Sequence, residues 1–201
     1  SPDGKRLAFT ALDRLWVMDL PAGKPRRMTT LDQGEFSPTW SPDGRYIAFV
    51  TWTDHGGEID RVRADGKAAP ETLTRQPAFY QDLTYTPSGT RLLAVRGPRQ
   101  PRVEDEGNIG LELVSIPASG GATTMISPVT AASMPHFTHD TTRIYMYEPT
   151  DGLISMRFDG TDRKPVVKVT GFVPPDPGPR ARPTPAQAIF ISPDGTQAIA
   201  E

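Results

Sequence analysis

Cysteine is absent from all 201 residues, which removes disulfides, thiolate metal sites and a cysteine nucleophile together. No apolar run approaches the roughly 18 residues of a membrane span, so no membrane-spanning helix is expected. A secretory leader is not visible either, and residue 1 is serine; the natural N-terminus is expected upstream, and targeting signals leave the location open. An excess of one charge is also missing: 22 lysines and arginines face 24 aspartates and glutamates, for a formal net charge of −2. That balance gives no electrostatic pull toward nucleic acid or an anionic membrane, and neither is expected as a partner. Stretches free of proline and glycine are scarce, because 22 prolines and 18 glycines punctuate the chain. Long helices are thereby nearly excluded. The short β-rich runs between the punctuation predict an all-β chain with many turns.

What the chain has in place of these is a repeat. Ser1-Pro2-Asp3-Gly4 returns as Ser41-Pro42-Asp43-Gly44 and as Ser192-Pro193-Asp194-Gly195. Weaker copies stand at Thr86-Pro87-Ser88-Gly89 and Thr138-His139-Asp140-Thr141. The copies start at 1, 41, 86, 138 and 192, a period that suits four short strands with their turns, the unit of a propeller blade. Proline presets the backbone at the second turn position, aspartate bonds back to the chain, and glycine accepts positive φ. Asp3, Gly4, Asp43, Gly44, Gly89, Asp194 and Gly195 are therefore read as structural turn residues of hairpins, not as a ligand loop.

Strand-like runs flank each copy and two more follow in each unit. With the four strands labelled A to D, the chain reads BCD, ABCD, ABCD, ABCD, AB. Strand A is expected at Glu35–Trp40, Asp82–Tyr85, Pro135–Phe137 and Ala188–Ile191. The organisation predicted is a partial blade at 1–34, blades at 35–80, 81–132 and 133–170, a proline-rich linker at 171–186, and the start of another blade at 187–201. Several runs are apolar on both faces, as sheets stacked face to face require. One B strand is too many for a closed four-bladed ring. An arc of about four blades cut from a larger propeller is the expectation, with a four-bladed ring carrying a spare strand as the alternative.

Two stretches, "FSPTWSPDGRYIAFVTW" and "LTRQPAFYQDLTYTPSGTRLLAVRG", resemble the TolB-type β-propeller repeat, and the likeness extends over essentially the whole chain. Within that group, "LAFTALDRLWVMDLPAGKPRRMT" and "PHFTHDTTRIYMYEPTDGLISMRFDGTDRK" look most like the propeller region of bacterial amidohydrolase-family proteins. The resemblance implies an exported, periplasmic or secreted, multidomain protein, with a cytoplasmic location as the alternative. It also implies that a divalent, zinc-like metal belongs to a hydrolase domain outside this chain, and that no cofactor is held within it. The partner would then be that hydrolase domain or another protein. Two other relatives offer different readings: a TolB-like protein-interaction scaffold of the cell envelope, and the gating propeller of a prolyl-oligopeptidase-like serine peptidase.

Catalytic patterns are missing from the sequence. No His-x-His pair opens a metal site and no Gly-x-Ser-x-Gly elbow presents a serine. His136 and His139 are close in "PHFTHD", but on a strand their spacing of three sends the rings to opposite faces. His139 also occupies the proline slot of a degenerate turn copy. The acids Glu104-Asp105-Glu106 lack the alternating oxygen ligands of a calcium loop. No catalytic, cofactor or metal residue is assigned. The interaction candidates are His55, at a B–C turn beside Asp54, and four arginines on the two insertions. Arg99 and Arg102 lie in the polar stretch 97–110, and Arg180 and Arg182 in the proline-rich stretch 171–186.

Overall fold

Short apolar runs between turn corners build antiparallel sheets in the described residues, which are 1–98, 110–130, 133–168 and 188–200 of a computed structural model. No helix occurs among them, and none is long and apolar enough to cross a membrane. The chain divides into two compact units, Ser1–Pro128 and Val129–Glu201.

The first unit carries three sheets. β1 (Arg6–Ala11), β2 (Arg14–Asp19) and β3 (Arg26–Arg27) form one meander. β4 (Gly34–Trp40), β5 (Tyr46–Thr53), β6 (Gly56–Arg63) and β7 (Glu71–Thr72) form the next. β8 (Phe79–Tyr85), β9 (Arg91–Gly97), β10 (Leu111–Pro117) and β11 (Thr124–Val129) form the third. The outermost β3 and β7 are only two residues long.

β5 shows why these strands read as apolar throughout. Ile47 and Phe49 pack with Leu15, Val17 and Met28 of the first sheet's side, whereas Ala48 and Val50 pack with Tyr80, Leu92 and Val114 of the third sheet. Successive side chains leave opposite faces of a strand, so a sheet covered on both sides needs an unbroken hydrophobic run. Each such Ile, Leu, Val or Phe contributes roughly 1.5–3 kcal/mol by leaving water.

Buried carboxylates also tie strands together, between sheets and within one. Glu35, on β4, is wholly inaccessible; it accepts the Leu15 N–H of β2 at 2.7 Å and the Thr29 hydroxyl. Asp60, on β6, accepts the hydroxyls of Thr51 (2.9 Å) and Thr72 (2.5 Å), tying β5 and β7 to the strand between them. Burial of a charge demands such partners.

In the second unit β12 (Arg143–Glu148), β13 (Gly152–Arg157) and β14 (Lys164–Val167) form a three-stranded sheet, and β15 (Ile189–Ile191) pairs with β16 (Ala198–Ala200). Ile189 and Ile191 of β15 pack with Tyr147 of β12 and Leu153 of β13.

One expected strand is much reduced. Pro135–Phe137 makes a single β-bridge, His136 to Tyr145, in place of a strand. Proline supplies no N–H for a ladder, and Met134 just before it sits at φ 43. The positive φ recurs at equivalent places, three residues before the aromatic that precedes each turn: Ser37 (φ 50) before Trp40 and Asp82 (φ 55) before Tyr85. In β4 and β8 the ladder register shifts at that point, a bulge. The β8 strand also starts earlier than its sequence suggests, at Phe79, whose ring meets Trp52 edge-on at 5.7 Å.

Candidate functional site

Four of the five turn copies share one geometry, the exception being Thr138–Thr141. In Ser41–Gly44 the Gly44 N–H reaches the Ser41 carbonyl at 2.8 Å, and Gly44 takes φ +69. Ser41 Oγ donates to Asp43 at 2.6 Å and accepts the Tyr46 N–H at 2.9 Å, while Asp43 also accepts the Arg45 N–H at 3.0 Å. Asp3 and Asp194 repeat these bonds, to Ser1 and Lys5 and to Ser192 and Thr196, and Gly4 and Gly195 repeat the positive φ. In the Thr86–Gly89 copy Ser88 stands in the aspartate slot, and Gly89 takes φ +69. Successive copies nest: Pro2 Cδ lies 3.8 Å from where a Gly44 Cβ would stand, and Pro42 Cδ lies 3.4 Å from that of Gly89. In the second unit the His139 ring takes the proline's place, 3.5 Å from that of Gly195.

Where the Ser41 and Thr86 turns meet, a cleft of about 500 Å³ opens, lined by Asp43, Arg45, Tyr46, Arg61, Tyr85 and Ser88 among others. The Arg61 guanidinium lies over the Tyr46 ring at 4.4 Å. It is held there by Glu71 at 2.7 Å and by the Ala118 carbonyl at 2.6 Å. Arg45 pairs with Asp43 at 2.6 Å. Burial pushes the Tyr85 phenol up to about 12, so it stays neutral and can donate a hydrogen bond. Beside this cleft a smaller one of about 240 Å³ is lined by Arg6, Arg45, Tyr46, Arg63 and Asp65. Arg6 lies over Trp40 at 4.6 Å and, like Arg26, donates to the Ala64 carbonyl at 3.2 Å.

These groups suit recognition more than proton transfer. Ser41 Oγ is committed to its turn, Ser88 Oγ to Thr86 and Thr90, and no histidine lines either cleft. Nucleophilic catalysis needs a base within hydrogen-bond reach of the nucleophile. Among the described residues no group of three or more His, Cys, Asp or Glu could hold a metal ion.

His55 stands with Asp54 at the exposed two-residue corner between β5 and β6, its N–H bonded to Thr53 Oγ1 at 3.1 Å, and it does not line the cleft. Arg99, Arg102, Arg180 and Arg182 lie outside the described residues. The cleft residues Arg61 and Tyr85 were not singled out as site residues by sequence reasoning. Arg61 sits inside a strand, and only the fold brings it to the turn of the neighbouring repeat.

The turn hydrogen bonds have a consequence in acid. Hydrogen bonds from Ser41 and Arg45 hold Asp43 at about 2. Its charged form therefore adds stability above the ordinary carboxylate range near 4, and that contribution fades as pH falls toward 2. Denaturant unfolding at pH 6 is expected to show wild type above Asp43→Asn, by less than about 1 kcal/mol at so exposed a position. The gap is expected to close by pH 2.

No family model matches the chain. Over 98 residues it is 33% identical to an uncharacterized peptidase, YuxL, of Bacillus subtilis, covering 46% of this chain and 14% of that protein. Over 64 residues it is 38% identical to a Streptomyces coelicolor protein named as a tricorn protease homolog, covering 31% of this chain and 6% of the other. The chain thus spans well under a fifth of the length of these curated relatives. Among solved structures it is similar to a TolB from Agrobacterium tumefaciens, with a TM-score of 0.72, 17% identity, and coverage of 100% of this chain and 77% of that one. It is also similar to an oligogalacturonate lyase, solved in complex with manganese, with a TM-score of 0.67, 17% identity, and coverage of 99% and 56%. The fold is a TolB-like β-propeller fold.

Proposed function

We propose that the chain is the non-catalytic propeller module of a larger hydrolase, positioning or gating substrate for a catalytic domain carried elsewhere. The observation that carries this reading is the cleft between successive turns. There a stacked cation, a neutral phenol and one fixed carboxylate, Asp43, converge without a nucleophile–base pair. The names of the two curated relatives favour a peptidase as the parent, in line with the gating-propeller reading. The amidohydrolase parent rests on the likeness of residues 7–29 and 135–164, and in that case a zinc-like metal belongs to the hydrolase domain. A periplasmic or secreted location follows from the same resemblance. The likeness to TolB in fold supports a second reading, a scaffold for protein partners.

Two measurements test the proposal. The 201-residue chain is expected to hydrolyse neither amide nor ester substrates, with or without zinc, and robust turnover would overturn the reading. In the parent protein, Arg61→Ala is expected to raise KM for extended substrates about tenfold, the loss of one charge-assisted contact of about 1.4 kcal/mol. It is expected to leave kcat and the turnover of small chromogenic substrates unchanged. An unaltered KM for extended substrates would count against the cleft. The sequence after Glu201 separates the parents: a His-x-His strand marks the amidohydrolase, a Gly-x-Ser-x-Gly elbow the serine peptidase.

A further inference from the structure

His136 is the half-buried histidine of "PHFTHD", and both of its ring nitrogens are engaged. Nδ1 lies 2.9 Å from the Met134 carbonyl, and Nε2 lies 3.1 Å from the backbone nitrogen of Ile191, 55 residues further along. A carbonyl can only accept, so Nδ1 carries the hydrogen. Nε2 then holds a bare lone pair, which accepts the Ile191 N–H. The main chain of His136 is fixed to β12 by two bonds with Tyr145, at 2.8 and 3.0 Å. Its side chain is therefore a bridge from the β12–β13 sheet to the last residue of β15.

We propose that His136 is a pH-sensitive latch that holds the β15–β16 hairpin against the β12–β13 sheet and lets go when its ring is protonated. A second ring proton sits on Nε2 and points at the Ile191 N–H, so the acceptor is lost and two donors face each other. The Met134 carbonyl on Nδ1 favours an imidazolium, but burial outweighs it. Tyr145 of β12 and Phe190 of β15 flank the ring, with centroids at 6.2 and 5.5 Å. Tyr145 is the titratable group of the two. On the same and neighbouring elements, Arg143 is bonded to Ser155 and Asp162, and Glu148 to Thr130 and Arg163. Asp140 and Asp194 accept hydrogen bonds from their own turns, and the His139 ring rests against Gly195. Burial is the main influence on His136, and it lowers the proton affinity of the ring.

Among the described residues, the rest of the hairpin's hold comes from one backbone bond and apolar contact. His139 N–H reaches the Pro193 carbonyl at 2.6 Å, Ile189 and Ile191 supply the apolar contact, and all three residues of β16 are exposed. Letting go uncovers those isoleucines and the Tyr147–Leu153 surface beneath them.

The sign follows from linkage. The closed hairpin prefers the neutral ring, so its hold is complete above the ordinary imidazole value of about 6.5, weakens as pH falls from there to the closed-state pKa, and then levels off. Hydrogen exchange and ring-proton NMR on the whole chain test this. The protection factor of the Ile191 amide is expected to fall about tenfold per pH unit within that window. It should track the His136 ring shift, while amides of Ile154 and Met156 in β13 stay protected. His136→Gln places a non-titrating oxygen where Nε2 accepts, and its Ile191 protection factor is expected to be flat with pH. His136→Phe has no acceptor and is expected to show low Ile191 protection even at pH 7.5. The latch is overturned if Ile191 protection ignores the ring titration, or if the Gln variant loses it just as wild type does. Should either variant lose β13 protection at pH 7.5, the wild-type titration alone decides.

Discussion

Gly152→Ala is expected to destabilise the second unit by about 2–4 kcal/mol, measured by denaturant unfolding. Gly152 opens β13 at φ +79, a left-handed conformation that costs a residue with a Cβ roughly 1–2 kcal/mol. A Cβ there would also stand 2.4 Å from the Val167 carbonyl oxygen and 3.0 Å from the Lys168 Cα. Both are main-chain atoms that cannot swing aside, so β14 must move off β13. Gly4 provides the control, because it has φ +69 but nothing within 4 Å of the added atom. Its alanine variant is expected to cost only about 1 kcal/mol. Equal losses at the two positions would show that the close approach of β14 carries no energy.

Glu35→Ala is the second large effect, an expected loss of about 3 kcal/mol. The substitution strands the Leu15 N–H and the Thr29 hydroxyl in a region closed to water. A buried donor left without its charged acceptor costs about 1.5–3 kcal/mol, with a smaller addition for the space vacated. Glu35→Gln keeps an oxygen for the Leu15 amide and is expected to recover about half of the loss. If Glu35→Ala costs no more than the exposed Asp43→Asn, the join between the first two sheets does not depend on this side chain.

The all-β fold and its TolB-like repeat were legible because turn chemistry is local. Ser-Pro-Asp-Gly writes its conformation within four residues, and the apolar runs between copies, such as Tyr46–Val50, have no alternative to a doubly covered strand. Features that depend on partners far along the chain were not legible. Glu35 reads as one acid in a strand until Leu15, 20 residues earlier, is seen beside it. His136 reads as a drifted repeat residue until Ile191 meets its ring. The bulge position resisted for another reason: serine, aspartate and methionine occupy it in turn, so no shared residue type announces the left-handed backbone. Arg61 shows the same limit at the cleft, since its partners Glu71, Ala118 and Tyr46 come from three separate segments.

The way the sheets end bears on how the protein behaves in a crowd. Among the strands at the margins of the described sheets, β3 and β7 are two residues long, and β11 and β14 carry Pro128 and Pro165, which have no N–H to offer. A second molecule arriving alongside any of these four strands therefore finds a short or interrupted ladder, a poor template for fibril growth.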